Sequence, residues 1–224
     1  MALDDREPQS LLALIPRGIF VGTSLILRQG GRFLYGVRPP HAEGRRQIIE
    51  LTGIGGGMEE EDESLTAGVL REAQEEMGCG VQLLSCRQTA IVRGPDRVEW
   101  ATLPGAERPA AVVFRRFGRP HEPWHPANRG EACLVVFWAE LEEQPQPAME
   151  LPALIWLTPA QVVETARRDV LLTQLLASGA TPIERTLTPM PCVAWARLTD
   201  SQEALVLALG DNALPFYQAL ADRC

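Results

Sequence analysis

Glu72, Glu75 and Glu76 stand close together just before Gly78, in the run Arg71-Glu72-Ala73-Gln74-Glu75-Glu76-Met77-Gly78. On a helix Glu72 and Glu76 lie about 40° apart, and Glu75 lies within about 60° of Glu72. All three are expected on one face, clear of a buried stripe formed by Leu65, Val69, Ala73 and Met77. Such a face is costly. Like charges at this spacing each destabilise a helix by about 0.2–0.5 kcal/mol. Anions near its C-terminus oppose the dipole by about 0.3–1 kcal/mol each. A hard divalent cation turns that repulsion into attraction, because Mg²⁺ prefers oxygen ligands and leaves positions for substrate phosphate.

The elements that must position these acids follow from the flanking residues. A helix is expected from about Ser64 to Met77, capped by Asp62 or Ser64 and stopped by Gly78. Gly53-Ile54-Gly55-Gly56-Gly57 precedes it, a loop whose backbone can approach a ligand closely. Before that loop come β-rich runs at 18–28 and 32–38, joined by Gln29-Gly30-Gly31, and a short strand at 48–51. Further strands are expected near 81–92, 97–103, 110–117, 132–141 and 154–157. Thr158-Pro159-Ala160-Gln161 reads as a capping box with Pro at the first helical position, opening a helix to about Ser178. The remainder, 179–224, holds a strand-like VAWARL and two short helices, near 201–209 and 213–222.

Composition narrows the chemistry. At 224 residues the chain suits one core of ordinary size. Its net charge of −8 argues against a nucleic-acid polymer as partner, which would need many cationic contacts. All 21 basic residues are arginine, which excludes a Schiff base and a Walker-type phosphate loop. The five cysteines are scattered without a Cys-x-x-Cys, so neither a zinc cage nor a disulfide framework is expected. The polar start and the lack of a long apolar run point to a cytoplasmic protein without a membrane span. His121-Glu122-Pro123-Trp124-His125 matches a zinc-protease pattern formally, but Pro123 inside it forbids the helix that pattern requires.

Gly57, Glu63 and the run from Arg71 to Cys79 resemble the Nudix box in residue type and order. Cys79 departs from the usual final aliphatic, although a buried Cys behaves as a small hydrophobe. The resemblance spans about residues 15–178. It implies an α/β/α sandwich with a mixed β-sheet, a Nudix hydrolase domain over 1–178, and a mainly helical C-terminal extension over 179–224 that serves packing or dimerisation. It also implies Mg²⁺ or Mn²⁺ held by Glu72, Glu75 and Glu76, with Arg71 orienting the carboxylates and Gly56 and Gly57 shaping the phosphate loop.

A further acid from a later loop, Glu131 ahead of Glu140 and Glu150, is expected as ligand or base. Arg38 and Arg46 are candidates for phosphate contact, and Trp124 for stacking on a base. The implied activity is hydrolysis of a diphosphate linkage in a nucleoside diphosphate derivative. ADP-ribose or a nucleotide sugar is favoured, with weak support from Pro95, placed 16 residues past Cys79. The alternatives are a (d)NTP pyrophosphohydrolase and a non-catalytic nucleotide-sensing module. The partner is then a small nucleotide, and a homodimer is expected by analogy alone.

Overall fold

The computed structural model describes residues 11–148, 151–184 and 193–220. Glu150, Cys192 and Cys224 lie outside the described residues.

The chain opens its sheet with a hairpin. Strands β1 (Phe20–Gln29) and β2 (Arg32–Val37) run antiparallel on either side of Gly30-Gly31. A short β3 (His41–Glu43) then leads into β4 (Arg46–Thr52). The glycine loop follows and clings to β1, with Thr23 N–H donating to Gly56 O at 2.8 Å and Leu25 N–H to Ile54 O at 2.7 Å. Helix α1 (Leu65–Met77) is capped by Ser64, whose hydroxyl accepts from Ala67 N–H, and closed by Gly78 in the left-handed region at φ 63°. Asp62 is therefore not the cap.

Four strands come next: β5 (Val81–Leu84), β6 (Thr89–Val92), β7 (Val98–Ala101) and β8 (Ala111–Phe117). The single strand expected over 81–92 is thus two, which join different neighbours, β9 (Arg129–Leu141) and β8. After β10 (Ala153–Leu157), the capping box opens α2 (Pro159–Arg167) with both reciprocal bonds between Thr158 and Gln161 formed. This helix ends at Arg167, not near Ser178. Val170–Leu171 (β11) pairs with β13 (Trp195–Leu198), and α3 (Leu172–Ala177) starts afresh. β12 (Thr181–Glu184) pairs with β10. Helices α4 (Asp200–Leu209) and α5 (Ala213–Gln218) complete the chain.

The main sheet path runs β11-β13-β4-β2-β1-β9-β8-β6-β7. Alternation along a strand sorts side chains to two faces. Leu25 and Leu27 join Val135 and Phe137 in a core against Val69, Ala73 and Met77 of α1. Ile26, Leu134 and Val136 join the opposite core with residues of α2, α4 and α5. The architecture is an α/β/α sandwich on a mixed sheet.

Residues 193–220 sit inside this architecture. β13 lies parallel to β4 in the main sheet, with Trp195 opposite Ile48 and Leu198 opposite Leu51. Gln202 donates to Leu25 O at 2.9 Å and accepts from Tyr35 Oη at 2.6 Å, both buried. An ion network anchored on the buried Arg115, Glu203 and Arg197 adds to this. Arg115 pairs with Glu203 at 3.4 Å, and Glu203 also accepts from His121 N–H at 2.7 Å. Arg197 is forked onto Glu43 at 2.9 and 2.8 Å and reaches Asp169 at 3.0 Å. The 118–128 segment is a loop without a helix, as Pro123 dictates, and its two histidines face different partners, Asp169 for His121 and Arg119 for His125.

Cys79 and Cys133 are free and buried, while Cys86 is disulfide-bonded, a covalent link the scattered spacing did not reveal. Among the described residues no helix is long and apolar enough to cross a membrane.

Candidate active site

Helix α1 and the glycine loop bring most of the expected acids together. Gly55 N–H donates to Glu76 Oε2 at 2.9 Å. Glu76 is buried, 7 % exposed, and does not stand clear of the apolar stripe as its helical angle suggested. The wheel shows only the helix; the loop folded over it supplies the burial. Glu72 packs against Gly56 so closely that a Cβ there would meet its Oε1 at 2.3 Å. Glycine at 56 is therefore a requirement of the Glu72 position.

Arg71 organises the rest. Its Nη1 donates to Glu72 and to Glu75, each at 3.0 Å, and Nη2 donates to Gly57 O at 3.2 Å. Nε and Nη2 form a fork on Asp62 at 3.1 and 3.0 Å. The acidic partner just ahead of the helix is thus Asp62 rather than Glu63. Asp62 is better placed because it also accepts from Glu59 N–H at 2.8 Å, so its carboxylate is turned inward. The Arg71 guanidinium holds the Asp62 carboxyl below the usual carboxylate range. Burial pushes the Glu72 carboxyl above that range, and Arg71 only partly offsets the effect.

The donor set suits a hard cation: the carboxylates offer oxygen only. A half-buried carboxyl such as Glu72, pushed above its ordinary range by desolvation, gains from a nearby positive charge. Among the described residues no three His, Cys, Asp or Glu side chains converge as a ready-made cage. Glu72 and Glu75 turn instead to one guanidinium nitrogen, and Glu76 turns to the Gly55 amide. Drawn toward one point, those three side chains could hold a divalent cation.

A cavity of about 220 Å³ borders the glycine loop. Gly56, Gly57 and Arg38 line it, together with Phe20, Phe117, Asp200 and Ser201. Gly56, Gly57 and Arg38 are the expected members. Arg46 does not join them. Its guanidinium lies 4.5 Å over the Trp195 ring and 4.0 Å from Asp169. It starts the strand whose other end, Thr52, lines the cavity. At about 3.3 Å per residue those six steps span about 20 Å.

Glu131 also stands apart, exposed and paired with Arg116 at 3.0 Å. It lines a different cavity of about 400 Å³ with Trp124, whose indole N–H donates to Phe114 O at 2.8 Å. Strand pairing of β9 with β8 sets Glu131 opposite Arg116, which the loop–strand position alone did not show. Glu140 is exposed and lines a third cavity with Arg28. The acid that does reach the glycine-loop cavity is Asp200. Nothing in its neighbourhood signals this locally; it arrives because β13 enters the sheet beside β4.

No family model and no curated protein matches this sequence. Among solved structures, the chain is similar to the ORF135 protein of E. coli at 19% identity and a TM-score of 0.42, over 65% of this chain and 78% of that one. It is similar to an ADP-ribose pyrophosphatase of Streptococcus suis 89-1591 at 15% identity and a TM-score of 0.36, over 63% and 75%. It is also similar to a NUDIX hydrolase of Nitrosomonas europaea at 13% identity and a TM-score of 0.43, over 78% of this chain and 98% of that one.

Proposed function

We propose that this chain is a Nudix-type hydrolase that uses Mg²⁺ or Mn²⁺ to cleave the diphosphate linkage of a nucleoside diphosphate derivative, ADP-ribose or a nucleotide sugar foremost. One observation carries the reading: Glu72 and Glu76 pack against the glycine loop while Arg71 gathers Glu72 and Glu75. A divalent cation bound there would neutralise phosphate charge and acidify a coordinated water. The side chains have separable parts. Arg71 keeps the carboxylates oriented. The Gly55 amide orients the Glu76 carboxylate, which accepts a proton from the attacking water. Arg38, on the cavity wall, balances phosphate charge. Water adds across one P–O bond of the anhydride, giving a nucleoside monophosphate and a phosphorylated remainder.

The test is a screen of ADP-ribose, nucleotide sugars and (d)NTPs with Mg²⁺ or Mn²⁺, alongside Glu76→Gln. Metal-dependent AMP release from ADP-ribose, lost in the variant, supports the reading. Preference for a triphosphate moves the substrate class. Absence of hydrolysis in the whole panel, or full activity in Glu76→Gln, overturns it.

A further inference from the structure

We propose that the cavity of about 400 Å³ beside Phe114 and Trp124 is a second ligand site, which takes a small aromatic carboxylate through the guanidinium of Arg93. It shares no lining residue with the glycine-loop cavity. Chain neighbours part between the two: Ile19 and Arg116 line this cavity, while Phe20 and Phe117 line the other.

Three cations line the site, and two are committed. Arg115 is engaged by Glu203 at 3.4 Å and Arg116 by Glu131 at 3.0 Å. Arg93 is exposed and makes no ion pair with any described residue. The chain carries 29 acids against 21 arginines, so an arginine that lines a concavity and meets no carboxylate runs against the overall balance. Its guanidinium carbon lies 4.4 Å from the centroid of the Phe114 ring. That stacking occupies one face of the guanidinium and leaves its N–H edge for an acceptor. A donor fork already settled on a ring loses less freedom when it grips a planar anion.

The walls select the body of the ligand. Pro16, Ile19 and Phe114 offer carbon surface. The indole N–H of Trp124 is already donated to Phe114 O at 2.8 Å, so its ring adds apolar surface alone. Sugar hydroxyls turned toward these groups would find no partner. An aromatic ring packs against them face or edge on. Small-molecule cavities run from about 300 to 1,000 Å³, and about 150 Å³ suffices for one benzene ring, so a ring with a charged substituent has room.

Glu131 limits the charge of the ligand. Its carboxylate lines the same cavity, is 61 % exposed, and cancels the charge of Arg116. One positive charge is left over, on Arg93, and a single guanidinium forks onto a carboxylate. A phosphate dianion would bring more charge than this cavity balances.

The test needs neither turnover nor metal, so its result stands whether or not the hydrolase reading does. Binding of benzoate, acetate and phenyl phosphate to the full chain is measured by calorimetry in the presence of EDTA. Benzoate is expected to bind at least about fivefold more tightly than acetate, because its ring is buried. It should also bind more tightly than phenyl phosphate. Arg93→Gln should weaken benzoate about tenfold or more, the loss of a charge-assisted bond, and Arg93→Lys should fall between the two. Glu131→Gln should strengthen benzoate about twofold or more, since the opposing charge is gone and Arg116 is released. Glu72→Gln/Glu76→Gln should bind benzoate as wild type does. The Arg93 variants should melt as wild type does, since that side chain is exposed and bonded to no acid.

Any of five results overturns the inference: no benzoate binding at millimolar concentration; acetate or phenyl phosphate bound as tightly as benzoate; affinity unchanged in Arg93→Gln; affinity lowered in Glu131→Gln; or an Arg93→Gln chain that does not fold, which would make Arg93 a structural residue. Benzoate binding lost in Glu72→Gln/Glu76→Gln would place the ligand at the glycine loop and overturn it as well.

Discussion

The backbone N–H of Gly55 donates to Oε2 of Glu76 at 2.9 Å, tying the glycine loop to the last turn of α1. Beside it, Gly56 lies so close to the Glu72 carboxylate that a side chain at 56 fits only if that carboxylate moves. Gly56→Ala should therefore displace Glu72 while the helix itself persists. The expected result is a loss of Mn²⁺ affinity of at least tenfold, with a near-normal circular dichroism spectrum. Unchanged affinity in Gly56→Ala would separate Glu72 from metal binding.

Arg71 meets Asp62, Glu72, Glu75 and the Gly57 carbonyl at once. Lysine carries the charge but cannot fork in this way. Both Arg71→Ala and Arg71→Lys should lower kcat by about 10–100-fold, the usual cost of losing a group that orients metal ligands. Steady-state kinetics at saturating Mg²⁺ would check it. A lysine variant with wild-type kcat would show that charge alone suffices.

Local signals carried much of this architecture into the sequence. Ser64 and Gly78 bound α1, Thr158 and Gln161 open α2, and Gly30-Gly31 turns the first hairpin; each works through its own neighbours. What was missed depends on distant partners. The break after Arg167 exists because Val170 and Leu171 pair with β13. Glu76 is buried because a loop 21 residues earlier folds over it. Asp200 and Ser201 reach the glycine-loop cavity because β13 enters the sheet beside β4, and Glu131 is drawn from the site by its cross-strand partner Arg116. No local pattern encodes these.

β13 and α4 supply the neighbour of β4, the Gln202 bonds and the Glu203 partner of Arg115. Removing the chain from Val193 onward would expose that edge and leave Arg115, 7 % exposed, without its buried partner. Breaking a buried pair in this way costs about 3–5 kcal/mol by itself. The shortened chain is expected to be unfolded or aggregated, read by calorimetry and gel filtration. A cooperative melt near that of the full chain would show residues 193–224 to be an appendage.

Cys133 is buried in β9, and burial pushes its thiol up to about 12 from an ordinary 9. Above pH 9 the unfolded chain gains by ionising this thiol while the folded chain does not. Stability should accordingly fall as pH rises from 9 toward 12, and be unaffected by this group below 9. Cys133→Ala should lose less melting temperature than wild type between pH 9 and 10.5. Parallel curves for the two proteins would contradict this.

Binding of Mn²⁺ to the full chain, followed by electron paramagnetic resonance with and without AMP, tests the central claim most directly. Wild type is expected to bind the ion, and Glu72→Gln/Glu76→Gln to lose at least tenfold in affinity while keeping a cooperative melt. Wild-type protein that takes up no Mn²⁺ in either condition, or a double variant that binds it equally well, would contradict the account.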